Sequence, residues 1–224
     1  MNFLLHHHLA GRDLRRSEAA VGAMLPDVWR MADRRARARA REQREAAIEA
    51  VRSVGDGIRH HLEVDAWFHG TPAFERGESA ARVALRTAQQ APKLGLFAHI
   101  AWELCLDGAL LRRLGLDTVL EAVRTSIAAV RPEAHHRAAD AWVPDLPAAD
   151  RGRFERRVDQ ILDAIGEGRW VAGYATAPGL VERLDGLRAR LGFEAMAKSD
   201  RDAVAAALEP VERVADAGLE EILR

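Results

Sequence analysis

The sequence predicts an all-α fold, a single compact helical bundle over residues 1–224. Apolar residues recur at intervals of three and four along nearly the whole chain, and the alternating β-branched runs of strands are missing. The composition is rich in Ala, Arg, Leu and Glu, which favour helix, and holds one tyrosine. Hydrophobic residues make up 48% of the chain, enough for a sizeable core joined by short connections.

Residues 2–10 and 17–25 read as short helices, the second stopping near Pro26, where the helical N–H is lost. Residues 33–68 read as one long or kinked helix. Its first half, "RRARARAREQREAAIEA", is highly charged, while its second half places Ile48, Val51, Val54, Ile58, His61, Leu62 and Asp65 on one stripe. Gly70, Thr71 and Pro72 end it. Further helices are expected at 76–90, 94–114, 116–129, 147–166, 178–192 and 199–223. The stretch 131–146, "RPEAHHRAADAWVPDL", reads as a loop that exposes His135 and His136. Neither an internal repeat nor a low-complexity linker marks a domain boundary.

Several function classes are disfavoured. A net charge of −1 argues for no polyanionic partner, and the one basic run lacks the interleaved aromatics of a nucleic-acid surface. There is no stretch of eighteen apolar residues, so no membrane span is expected. Cys105 is the sole cysteine, which rules out an intrachain disulfide, reads as core, and fits a cytoplasmic setting. Trp102 and Trp142 read as packing residues. The opening "NFLLHHHLAG" has no basic residue before it, is broken by histidines and runs into Arg12, unlike a signal peptide. Its histidines therefore belong to a core or to a site.

Two stretches put ionisable residues on apolar faces. In "GIRHHLEVDAWFHGTP", His61, Asp65 and His69 are four and eight residues apart, beside Ile58 and Leu62. In "LFAHIAWELCLDGALL", His99, Glu103 and Asp107 repeat the spacing among Leu96, Ile100, Leu104 and Leu110. Burying such groups costs several kcal/mol unless they are paired or bind a metal. Two such ladders are expected to face one another, as a ligand set for zinc, manganese, iron or magnesium. The competing reading is a buried polar network, with the second ladder paired to arginines such as Arg112. In "GAMLPDVW", Asp27 taken alone reads as a helix N-cap.

Taken in order, these pieces resemble the acyl carrier protein phosphodiesterase family. That family opens Met-Asn-Phe-Leu-Ala-His-Leu-His-Leu-Ala, and "MNFLLHHHLA" departs only at positions 5 and 7, matching His6 and His8. Its Gly-x-Leu-Leu-x-Asp-Phe motif is similar to "GAMLPDV", with Asp27 on the motif aspartate. Its Gly-Ile-x-x-His-x-x-Ile-Asp motif is similar to "GIRHHLEVD", matching His61 and Asp65, with His69 at the family's next acidic position. "ELCLDGAL" resembles the aromatic-Asp-His-Phe-Leu motif at Glu103 and Asp107, but the motif histidine is Gly108 here. "WVAGYATAPGLVERLDGLRAR" resembles the family pattern at Trp170, Tyr174, Leu184, Gly186 and Arg190, so the likeness spans most of residues 1–192.

The resemblance implies a helical, HD-like, metal-dependent phosphoric diester hydrolase of fatty acid biosynthesis, releasing 4′-phosphopantetheine from holo acyl carrier protein. It implies Asp27, His61 and Asp65 as leading metal or catalytic residues, and His6, His8, His99 and Asp107 as further ligands or supports. Asp65, His69 and Glu103 are the candidates for proton transfer, with His7 pointing elsewhere. His99 or His69 would stand in for the lost histidine at 108. Acyl carrier proteins are acidic, so the basic segment 34–44 is a candidate docking face that works by steering. The plainer alternative is a solvated helix with Glu42 and Glu45 as internal partners. Two rival functions stay open: a metal-dependent hydrolase of a nucleotide or other small phosphoester, and a helical binding protein with a degenerate site.

Overall fold

The computed structural model describes residues 2–39, 49–88, 93–130, 132–143 and 145–224. Among these every regular element is helical: α1 (Phe3–Leu14), α2 (Ser17–Ala32), α3 (Glu49–Phe68), α4 (Pro72–Ala88), α5 (Leu94–Leu114), α6 (Leu116–Ala129), α7 (Pro132–Trp142), α8 (Arg151–Gly166), α9 (Ala177–Arg190) and α10 (Lys198–Leu223), with short 3-10 turns at Ala148–Asp150 and Ala172–Ala175. The all-α expectation is met. The helices group into two compact units, each assembled from separated stretches of chain.

One unit comprises residues 3–67 and 117–169. Here α2 does not stop at Pro26 but runs through it to Ala32. Proline removes only the N–H that would bond the Gly22 carbonyl, and the helix is otherwise buried along most of its length, so packing carries it past the break. Helices α2 and α3 cross at backbone contact. A Cβ on Gly22 would lie 2.2 Å from the Val54 carbonyl oxygen, and one on Gly57 would lie 1.9 Å from that of Ala19. The long helix expected over 33–68 is present only as α3. Residues 33–39 are not helical, and 40–48 lie outside the described residues. The stretch expected as a loop contains α7, with Ala134, Ala138, Ala139 and Trp142 buried at helical spacing and Pro132 in the first turn, where proline is tolerated.

The other unit comprises residues 68–116 and 170–224 with Asn2. Its centre is α5, apolar on all sides and buried from Phe97 to Leu111 but for His99. By length and composition α5 could cross a membrane, but 78% of its most apolar window is buried within the fold. Trp102 sits at its middle, with no exposed surface, where Gly77 of α4 and Gly218 of α10 leave room for the indole. Cys105 is buried as expected, and burial pushes its thiol pKa up, so it stays protonated. Gly115 ends α5 with φ 86°, a left-handed conformation that glycine adopts without strain.

Candidate metal centre

Among the described residues, three groups of imidazoles and carboxylates could hold a metal ion, each with its ligand atoms within 4.8 Å of one another. The first joins His6 of α1 to His61 and Asp65 of α3. The close α2–α3 crossing brings His61 Nδ1 to 2.8 Å from the Ala23 carbonyl oxygen. A carbonyl only accepts, so Nδ1 donates to it, and the tautomer this selects has its lone pair on Nε2. Metal-binding histidines are commonly oriented by such a hydrogen bond from the other ring nitrogen. The His6 ring stacks on that of His61 at 4.0 Å between centroids, and His6 Nε2 lies 4.0 Å from Asp65 Oδ1. His6 has 2% of its side chain exposed and Asp65 has 37%, so the group opens to solvent at the carboxylate.

The second group is His69 with His99 and Glu103 of α5. Both imidazoles turn Nε2 toward Glu103 Oε1, at 3.7 Å from His69 and 3.3 Å from His99, and His99 Nδ1 lies 3.8 Å from Glu78. Phe74 packs on both rings. Burial works to raise the Glu103 pKa, but nearby positive charge and the two histidines outweigh it and hold the carboxyl well below its ordinary range. The third group is His135 and His136 of α7 with Asp159 of α8, both Nε2 atoms converging on Asp159 Oδ1 at 3.4 and 3.0 Å. Burial lowers the His135 pKa to about 4, keeping its ring neutral.

The sequence candidates are thus divided. His61 and Asp65 join His6. His69 leaves their stripe because α3 ends at Phe68, and the four-residue spacing loses its meaning one residue past the helix. It meets His99 and Glu103 instead. Asp107 is fully buried but stands outside all three groups, and its charge helps raise the Tyr174 pKa behind the effect of burial. Arg112 reaches Asp216 at 2.7 Å and Glu212 at 3.4 Å on α10 rather than closing the second ladder. Asp27 is not an N-cap. It lies inside α2, one turn beyond Ala23, half-buried and outside the His6 group. His8 also falls outside: two residues from His6 is about 200° round a helix, and His8 lines a pocket with His7 instead.

Gly108, where the family motif has histidine, has a structural cause. A Cβ there would lie 2.0 Å from the Tyr174 carbonyl oxygen, so no side chain fits. The third group is hidden in the sequence because 131–146 reads as loop; Pro132 as a first-turn residue and the helical spacing of the alanines are the signals for α7. Within the basic run, Arg35 pairs with Asp33 and Asp150 at 2.7 Å, and Arg39 pairs with Asp145, while Arg34 and Arg37 are exposed. Residues 40–44 of that run lie outside the described residues. Comparisons with protein-family models, curated proteins and solved structures yield no match for the chain.

Proposed function

We propose that the protein is a metal-dependent phosphodiester hydrolase with its divalent ion at His6, His61 and Asp65, acting in the cytoplasm on the phosphopantetheine arm of an acyl carrier protein. The observation that carries this reading is the His61 ring, whose Nδ1 is tied to the Ala23 carbonyl so that Nε2 is left as a ligand beside His6 and Asp65. Two imidazoles and a carboxylate suit manganese, iron or zinc, and magnesium less well. When bound, such an ion supplies charge to the phosphate oxygens and lowers the pKa of a coordinated water. Asp65 is the solvent-open member and the residue placed to accept a proton from water. His6 and His61, buried and stacked, position the group. The resemblance of the decapeptide and of the His61/Asp65 motif supports the substrate assignment.

A second reading, a small phosphoester or nucleotide as substrate, draws support from the basic segment. Arg35 and Arg39 are committed to carboxylates of this chain, which weakens the segment as a docking face for an acidic protein. Elemental analysis of the untagged protein, beside a His61→Ala/Asp65→Ala variant, tests the metal. Near-stoichiometric manganese, iron or zinc in the wild type, lost in the variant, is the expected result. No bound metal after reconstitution with those ions and magnesium would leave a helical binding protein. Release of phosphopantetheine from holo acyl carrier protein, set against hydrolysis of small phosphodiesters, separates the two substrates.

A further inference from the structure

The unit that holds His6 also carries an open pocket of about 410 Å³, formed by α1, the α1–α2 junction and α6. That volume is in the range of small-molecule sites. Arg12, Arg15 and Arg16 line it, with the hydroxyl residues Ser17 and Ser126, and among the described residues no carboxylate does. His7 and His8 complete the polar lining. His7 is 5% exposed, and its Nε2 finds no hydrogen-bond partner among the described residues. A buried polar atom left in this way carries a desolvation cost that a bound ligand can remove.

Two backbone features point the same way. Helix α2, sixteen residues long, begins at Ser17 on the pocket wall, and its N-cap position is filled by Arg16 with no side chain capping the first-turn N–H groups. Those groups and the helix dipole favour an anion. Arg15 holds φ 54°, the left-handed region, in which a non-glycine side chain is strained. Glycine is the ordinary residue for such a helix end. An arginine there retains a guanidinium on the pocket wall at the expense of backbone comfort.

Competing partners exist for two of the three arginines. Arg12 hydrogen-bonds Asp13 at 2.7 Å, and Arg16 reaches Glu49 and Ser53 at 3.2 Å and Asp56 at 3.8 Å. Arg15 has no side-chain partner among the described residues. The Arg15 guanidinium, a serine pair and a helix N-terminus suit the three terminal oxygens of a phosphate monoester, which together accept more hydrogen bonds than the two of a carboxylate.

We propose that this pocket is a second ligand site, for a small molecule bearing a phosphate group, distinct from the His6–His61–Asp65 group. The proposal stands whether or not that group binds metal.

The test uses the full-length protein and inorganic phosphate, titrated by calorimetry at fixed ionic strength, for the wild type, Arg15→Gly, Arg12→Ala and His61→Ala. Arg15→Gly removes the guanidinium and relieves the positive φ, so its thermal midpoint should hold or rise. Saturable binding by the wild type is expected, weakened about tenfold in Arg15→Gly and in Arg12→Ala, the scale of losing one charged hydrogen bond, and retained in His61→Ala. Three results would overturn the proposal: no saturable binding by the wild type, undiminished binding in Arg15→Gly, or binding lost in His61→Ala while both arginine variants keep it. The last would put phosphate on the metal group.

Discussion

Gly108 is the sharpest place to test the packing around α5, because the acyl carrier protein phosphodiesterase motif that this stretch resembles has histidine there. In the structure the Tyr174 carbonyl oxygen sits 2.0 Å from where a Cβ would be, and the Arg112 guanidinium 3.2 Å from it. Ordinary carbon–oxygen contact needs more than 3 Å, so even alanine must displace backbone by about 1 Å. That backbone belongs to the 3-10 turn at Ala172–Ala175, which Arg112 holds through the Ala175 carbonyl at 3.2 Å. Alanine recovers about 1 kcal/mol of helix propensity. Overpacking costs about 1–3 kcal/mol, with the high end expected when backbone rather than a side-chain tip must move. Gly108→Ala should therefore be destabilised by about 2 kcal/mol, a fall in Tm of about 4–8 °C for a chain of this size. Gly108→His should be worse, and should lose folded protein rather than gain metal or activity. Thermal and urea unfolding of both variants measure this. An alanine variant as stable as the wild type, or more so, would show that Tyr174 does not close on Gly108, and the account of the missing histidine would fall.

Gly57→Ala should destabilise the other unit and also weaken metal retention, since the α2–α3 contact it would pry apart places His61 on the Ala23 carbonyl; equal metal content in a folded variant would separate the two. Stability should fall as pH drops from about 6.5 to 4. Burial lowers the pKa of both His7 and His135 to about 4, so the unfolded chain takes up protons there that the folded chain refuses. The shift bounds the effect at roughly 3 kcal/mol for each histidine, and urea midpoints measured across that range in chelator should decline, less steeply in His135→Gln. Glu103 acts in the same direction. Its carboxyl is held low, so its contribution is present above the usual carboxylate pKa and lost as acid protonates it; Glu103→Gln should flatten that acid limb of the same titration.

Local chemistry along the chain was enough to settle the all-α class, most helix positions, and the facts that His61, Asp65, His99 and Glu103 lie on otherwise apolar faces and that Cys105, Trp102 and Trp142 are core. These follow from residue spacing on a helix, which is a property of neighbours in sequence. Which ladders meet is not such a property. His6 joins His61 because two glycines let α2 and α3 touch, and His69 deserts its stripe because α3 stops one residue too soon. Pro26 reads as a stop, yet burial along α2 carries the helix through it. The proline and polar residues of 131–146 read as loop, yet the helix α7 brings His135 and His136 onto Asp159. Sequence spacing sets which side of a helix a residue occupies. Only the packing of distant helices, decided by shape and close approach rather than by local pattern, selects the partner that side meets.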